Sequence, residues 1–207
     1  MTTAAGTSPA RRERRQRTEA VVIGASAGGV EALLRLLEDL PVPWRLPVIV
    51  VIHVPERRES LLARVFGQRL RIPVREAADK ADIEDGVLYF APPSYHLSVE
   101  RQRVFSLSCE PPVLWSRPSI DVLMTSAADA YGPTLAGVLL TGANQDGARG
   151  MLHIHRAGGL TAVQDPDDAE VATMPRAALG LHVPDFVLPL RELRALLVKL
   201  DTPDADH

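Results

Sequence analysis

The chain has 207 residues, 46% of them apolar and 24% charged, a balance that suits one well-buried domain and leaves little room for a second. A net charge of −3 gives no electrostatic reason to expect nucleic acid or an anionic membrane as partner. Its single cysteine, Cys109, excludes an internal disulfide and a multi-cysteine zinc site, and no apolar stretch has transmembrane length or the form of a signal core, so the chain reads as cytoplasmic.

Residues 1–18 are polar and carry Arg11, Arg12, Arg14, Arg15 and Arg17, which predicts a disordered arm. No aromatic residue is interleaved with the arginines, so nucleic-acid binding is not expected there. Ala20-Val21-Val22-Ile23 then predicts a buried strand, followed by the turn Gly24-Ala25-Ser26-Ala27-Gly28-Gly29 and a helix with a wide apolar face from Val30 to Leu40. Pro47 to Ile52 is a continuous apolar run ending at His53, the pattern of a parallel strand covered on both faces. A helix over Ser60 to Leu70, a short strand over Pro73 to Ala77 and another over Val87 to Ala91 follow. His96 to Glu100 and Arg103 to Ser108 predict a hairpin.

Ser119 is placed to cap a helix through Val122, Leu123, Ala127 and Ala130. Leu135 to Thr141 reads as a buried strand ending in Gly142-Ala143-Asn144-Gln145-Asp146-Gly147. A helix through Met151, Leu152 and Ile154, a strand over Leu160 to Gln164 and a last helix over Arg191 to Leu200 complete the pattern. Strands alternating with helices over short connections predict an α/β fold with a doubly wound, Rossmann-like, mostly parallel sheet and one small antiparallel hairpin. The folded domain is expected over 19–200, with a tail at 201–207.

The glycine-rich turn admits two chemistries. It is the form of a G-x-S-x-G nucleophile elbow, and also of a turn that binds a dinucleotide pyrophosphate. A dinucleotide fold wants an acidic residue at the end of the second strand, for the ribose hydroxyls. This chain has His53 there, which suits a general base instead. A serine hydroxyl needs such a base, and the base needs an acceptor to fix its tautomer. Asp146, just past the end of another buried strand, is placed to be that acceptor. The expected triad is Ser26, His53 and Asp146, with His182 as the rival base. The N–H groups of Ala27 and Ala143 are the expected oxyanion-hole donors.

Ser26, His53 and the Thr141–Gly147 loop together resemble the catalytic domain of bacterial chemotaxis receptor methylesterases of the CheB type, from about Ala20 to near Leu197. His53-Val54-Pro55, Ala91-Pro92-Pro93-Ser94-Tyr95-His96-Leu97, Arg117-Pro118-Ser119-Ile120-Asp121-Val122-Leu123 and Met174-Pro175-Arg176-Ala177-Ala178 are similar to further motifs of that family. The resemblance implies a serine hydrolase that removes methyl groups from glutamate γ-methyl esters on the cytoplasmic helices of chemoreceptors, and that deamidates glutamines. It implies no metal and no cofactor. His96, Arg117 and Asp121 fall in family motifs, with structural roles expected for the last two as a helix-start ion pair or cap.

Three features depart from the family pattern. Only a short polar arm precedes the first strand where the family commonly carries a phosphorylation receiver domain. That implies a stand-alone catalytic domain, constitutively active or governed by a separate regulatory protein. The loop reads Gly142-Ala143-Asn144-Gln145-Asp146 where many members have Gly-Met-Gly-x-Asp, and Glu56-Arg57-Arg58-Glu59 is unusually charged. The competing reading is a non-catalytic signalling module of the same fold that binds a receptor or partner protein.

Overall fold

A computed structural model describes residues 17–53 and 61–202. The predicted arm up to residue 16, the charged segment Glu56–Glu59 and the tail from residue 203 lie outside the described residues. Seven strands form one sheet whose neighbours are all parallel: β1 (Ala20–Ala25), β2 (Val48–Ile52), β3 (Val74–Glu76), β4 (Leu88–Phe90), β7 (Leu135–Leu139), β8 (Leu160–Gln164) and β9 (Phe186–Leu188). Their order across the sheet is β3-β4-β2-β1-β7-β8-β9. β5 (His96–Val99) and β6 (Phe105–Ser108) form a separate antiparallel hairpin.

The central strands read as unbroken apolar runs because both of their faces are covered. Val21, Ile23 and Ala25 of β1 point into a layer closed by α1 (Gly29–Leu37), α2 (Leu62–Gly67) and α6 (Leu190–Asp201). Ala20 and Val22 point the other way, into a layer closed by α3 (Ile120–Tyr131), α4 (Ala148–Arg156), α5 (Thr173–Leu181) and the hairpin. Burying such side chains contributes about 1.5–3 kcal/mol each, and both layers are anchored by fully buried residues such as Leu33 and Phe66 on one side and Phe105 and Leu123 on the other.

The topology decides where a site can form. β1 pairs with β2 on one side and β7 on the other, so the chain winds outward in both directions from β1. The loops leaving these three strands meet at a switch point along the carboxyl edge of the sheet, where open α/β sheets bind ligands. Those loops carry Ser26, His53 and Asp146.

The predicted strand over 135–141 ends at Leu139. Thr141 N–H leaves the ladder because the side-chain Oε1 of buried Gln164 takes it at 2.9 Å. The helix predicted over 60–70 spans Leu62–Gly67 among the described residues. β9, three residues at the sheet edge, was too short to show a period in the sequence.

α3 and α4 cross closely at Gly150, where an added Cβ would lie 2.5 Å from Met124 Cβ. Gly150→Ala gains about 1 kcal/mol or less in helix propensity, which does not offset forcing the two helices apart. It is expected to destabilise the fold by about 1–3 kcal/mol, read as a Tm loss of several degrees.

Candidate active site

The turn after β1 is held from three directions. Ser26 N–H donates to Thr141 O at 2.9 Å, and Gly29 N–H donates to Ser26 O at 2.8 Å. Thr141 Oγ1 donates to Ala27 O at 2.9 Å and accepts from Val171 N–H at 2.8 Å, tying the turn to the segment before α5. Gly28 caps α1 in the left-handed region, with φ 74°. A Cβ there would be strained by that φ and would also crowd Glu170, whose own Cβ lies 2.9 Å from it, so both the φ and the space favour glycine. The backbone thus fixes Ser26 while leaving its side chain partly exposed.

His53 directly follows β2 and donates its backbone N–H to Ala25 O at 3.2 Å, which sets it beside the Ser26 turn. Its Nδ1 lies 3.2 Å from Ser26 Oγ and its Nε2 lies 2.9 Å from Asp146 Oδ2. Asp146 is wholly buried. Oδ2 also accepts from Ile120 N–H at 2.7 Å. Oδ1 accepts from Ser119 Oγ and Asp121 N–H at 2.9 Å each and from Gly147 N–H at 3.0 Å. Burial pushes the carboxyl up, but the bonds from His53, Asp121 N–H and Ile120 N–H outweigh it and hold Asp146 below the ordinary aspartate range. An ionised carboxylate only accepts, so Nε2 must carry the ring proton and Nδ1 is free to accept the serine proton.

Asp146, ahead of α4, receives the first two N–H groups of α3. Asp121, in the first turn of α3, accepts Gly150 N–H from the first turn of α4 at 2.7 Å. The two helices cap each other reciprocally. Burial, followed by the nearby Asp146 charge, leaves the Asp121 carboxyl raised despite the Gly150 bond. A raised carboxyl makes the ionised form a cost in the folded state, so Asp121 weakens the fold as pH rises through its folded pKa. Asp146 has the opposite sign: its contribution is complete above the ordinary aspartate range and is lost only on stronger acidification. Asp121→Asn keeps an acceptor for Gly150 N–H and sheds the charge. Its Tm relative to wild type is expected to rise between pH 4 and pH 7 in a melting series.

The remaining predicted residues separate by position. The N–H groups of Ala27 and Ala143 have no acceptor among the described residues and flank Ser26 on the two loops. Met174 is buried against Gly142, and Arg176 is exposed. Arg117 forms no pair with Asp121; it donates to Cys109 O and Glu110 O at 3.0 and 3.1 Å. His182, the rival base, packs in a tilted pair with His155, 5.3 Å between ring centroids, at the carboxyl ends of α4 and α5. His153 pairs with Asp129 on the surface at 2.8 Å. Sequence reasoning passed over Thr141 Oγ1 and Gln164 as braces of the nucleophile turn; a polar residue closing a buried strand was the available signal for Gln164. A recess of about 250 Å³ opens beside the loop, lined by Leu114, Gln145, Arg149 and Leu181 among others, and neither Ser26 nor His53 lines it.

No helix among the described residues is long and apolar enough to cross a membrane. The family profile described as CheB methylesterase matches residues 21–197. A Leptospira interrogans protein is 44% identical over 183 residues, covering 88% of this chain and 95% of that protein. The protein-glutamate methylesterase/protein-glutamine glutaminase 1 of Hahella chejuensis is 42% identical over 179 residues, and the match spans 84% of this chain but about half, 49%, of that longer protein. The crystal structure of the Thermotoga maritima CheB methylesterase catalytic domain superposes with a TM-score of 0.84 at 29% identity, covering 89% of this chain and 100% of that one. With the profile spanning nearly all of the folded region, the chain belongs to the CheB methylesterase family.

Proposed function

We propose that this chain is a serine hydrolase of glutamate γ-methyl esters on chemoreceptor-type proteins, with Ser26 as nucleophile, His53 as general base and Asp146 as the group that orients it. The observation that carries this reading is the continuous contact from Ser26 Oγ to His53 Nδ1 at 3.2 Å and from Nε2 to Asp146 Oδ2 at 2.9 Å. In the reaction, Ser26 Oγ attacks the ester carbonyl as its proton passes to Nδ1. The oxyanion is received by Ala27 N–H and Ala143 N–H. The imidazolium, stabilised by Asp146, then returns the proton to the departing methoxide, and methanol leaves. Water, deprotonated by the same Nδ1, attacks the acyl-enzyme; the bond to Ser26 Oγ breaks, the imidazolium returns its proton to that oxygen, and the glutamate carboxylate is freed. A glutamine side chain presents the same carbonyl with ammonia as leaving group, so deamidation uses the same groups.

The substrate we assign is the methylated cytoplasmic helix of a chemoreceptor or a similar sensory protein. The test is methanol release from a methylated chemoreceptor cytoplasmic fragment. Release by the wild-type chain is the expected result. Tight binding of the fragment without any release contradicts catalysis and supports a binding module instead.

A further inference from the structure

The buried polar contacts do not stop at Asp146. Ser119, which is fully buried, donates Oγ–H to Asp146 Oδ1 at 2.9 Å and accepts Val122 N–H on the same oxygen at 3.4 Å. Behind it His96, 1% exposed, accepts Ser119 N–H on Nδ1 at 3.2 Å and donates Nε2–H to Pro111 O at 3.1 Å. These roles follow from the partners: a backbone N–H only donates and a carbonyl only accepts, so His96 is neutral with its proton on Nε2.

Capping α3 asks of Ser119 only an acceptor oxygen. Its hydroxyl proton is free for another partner, and it goes to the carboxylate that faces His53. Of the three donors on Oδ1, Ser119 Oγ is the only side chain; the other two are backbone N–H groups of Asp121 and Gly147. Oδ2 already carries His53 Nε2–H and Ile120 N–H. With donors locking both oxygens, the carboxylate plane cannot turn away from the imidazole.

We infer that Ser119, held in place by His96, is a positioning residue that aligns Asp146 on His53, so the arrangement runs His96–Ser119–Asp146–His53–Ser26. The inference rests on the triad reading above. The titratable side chains beside Asp146 among the described residues are His53 and Asp121, and neither makes the contact that Ser119 makes.

The experiment measures kcat, KM, the pH profile of kcat and Tm for wild type, Ser119→Ala, Ser119→Gly, Ser119→Thr, His96→Ala and Ser26→Ala on the methylated receptor fragment. Loss of a hydrogen bond to a charged group is expected to lower kcat about tenfold or more in both the Ala and Gly variants, with KM within about twofold. Glycine is a tolerated N-cap, so Ser119→Gly keeps most of the Tm that Ser119→Ala loses, separating alignment from capping. With the carboxylate less firmly aligned, Asp146 holds the imidazolium less strongly, and the acid limb of kcat moves to lower pH in both. Ser119→Thr, which keeps the hydroxyl, recovers most of kcat. His96→Ala, which leaves the hydroxyl but frees the Ser119 backbone, gives a smaller loss at unchanged KM and serves in place of the threonine variant if that one does not fold.

Wild-type kcat and an unmoved acid limb in Ser119→Gly overturn the inference. If Ser26→Ala is inactive while the Ser119 variants match wild type, the inference alone fails. If Ser26→Ala keeps wild-type turnover, or wild type releases no methanol, the triad reading and the inference fail together.

Discussion

Ser26→Ala is expected to release methanol about 10⁶-fold more slowly than wild type, the scale of loss when a triad serine is removed. The fold should not notice the change. The turn is held by the Ser26 backbone N–H and C=O, and both bonds survive the substitution. Among the described residues the Oγ has one hydrogen-bond partner, His53 Nδ1, and Ser26 is partly exposed. An unchanged Tm beside a near-complete loss of turnover is therefore the expected pair of measurements. Residual release within tenfold of wild type would assign the nucleophile elsewhere.

Asp146→Asn is expected to lower kcat about 10⁴-fold, because an amide presents the wrong partner to the imidazole. With its NH₂ toward His53, it donates to Nε2 and drives the ring proton to Nδ1, where it blocks transfer from Ser26. With its NH₂ on the other side, it faces Ser119 Oγ and the N–H groups of Asp121 and Gly147. Either orientation leaves buried backbone donors unpaired, at about 1–3 kcal/mol each. Unlike Ser26→Ala, this variant should lose Tm as well as turnover, by about 2–4 °C per kcal/mol for a domain of this size. Turnover lost without any fall in Tm would mean that Asp146 does not hold α3 as described.

Much of the arrangement could be read from the chain because the site sits where topology concentrates strand ends. A continuous apolar run such as Val48–Ile52 announces a strand covered on both faces, and whatever follows it must emerge at the carboxyl edge. That logic puts Ser26, His53 and Asp146 at one edge of the sheet, where the structure has them in contact. The apolar faces of α1 and α3 were equally plain, and so was Ser119 as a cap. What the sequence did not show were contacts made across long separations by side chains with ordinary local roles. Asp121 stands 29 residues before Gly150, across the rest of α3 and β7, and its pairing with the N-terminus of α4 has no periodic signature. Arg117 sits next to Pro118 and near Asp121 in the chain, which suggested a local ion pair, yet it bonds carbonyls on the preceding loop. Gln164 closes β8 and reaches across to Thr141, shortening β7 by an interaction that propensity cannot see. In each case one polar side chain satisfied a backbone group elsewhere in the chain, and for Asp121 and Gln164 burial made that bond obligatory.

The most direct measurement is acid-quenched mass spectrometry of the enzyme mixed with a short peptide bearing a glutamate γ-methyl ester. The account predicts a transient adduct equal to the peptide acyl group, mapped to the tryptic peptide containing Ser26 and absent from Ser26→Ala. An adduct on any other residue, or methanol release by wild type with Ser26→Ala equally active, would contradict it.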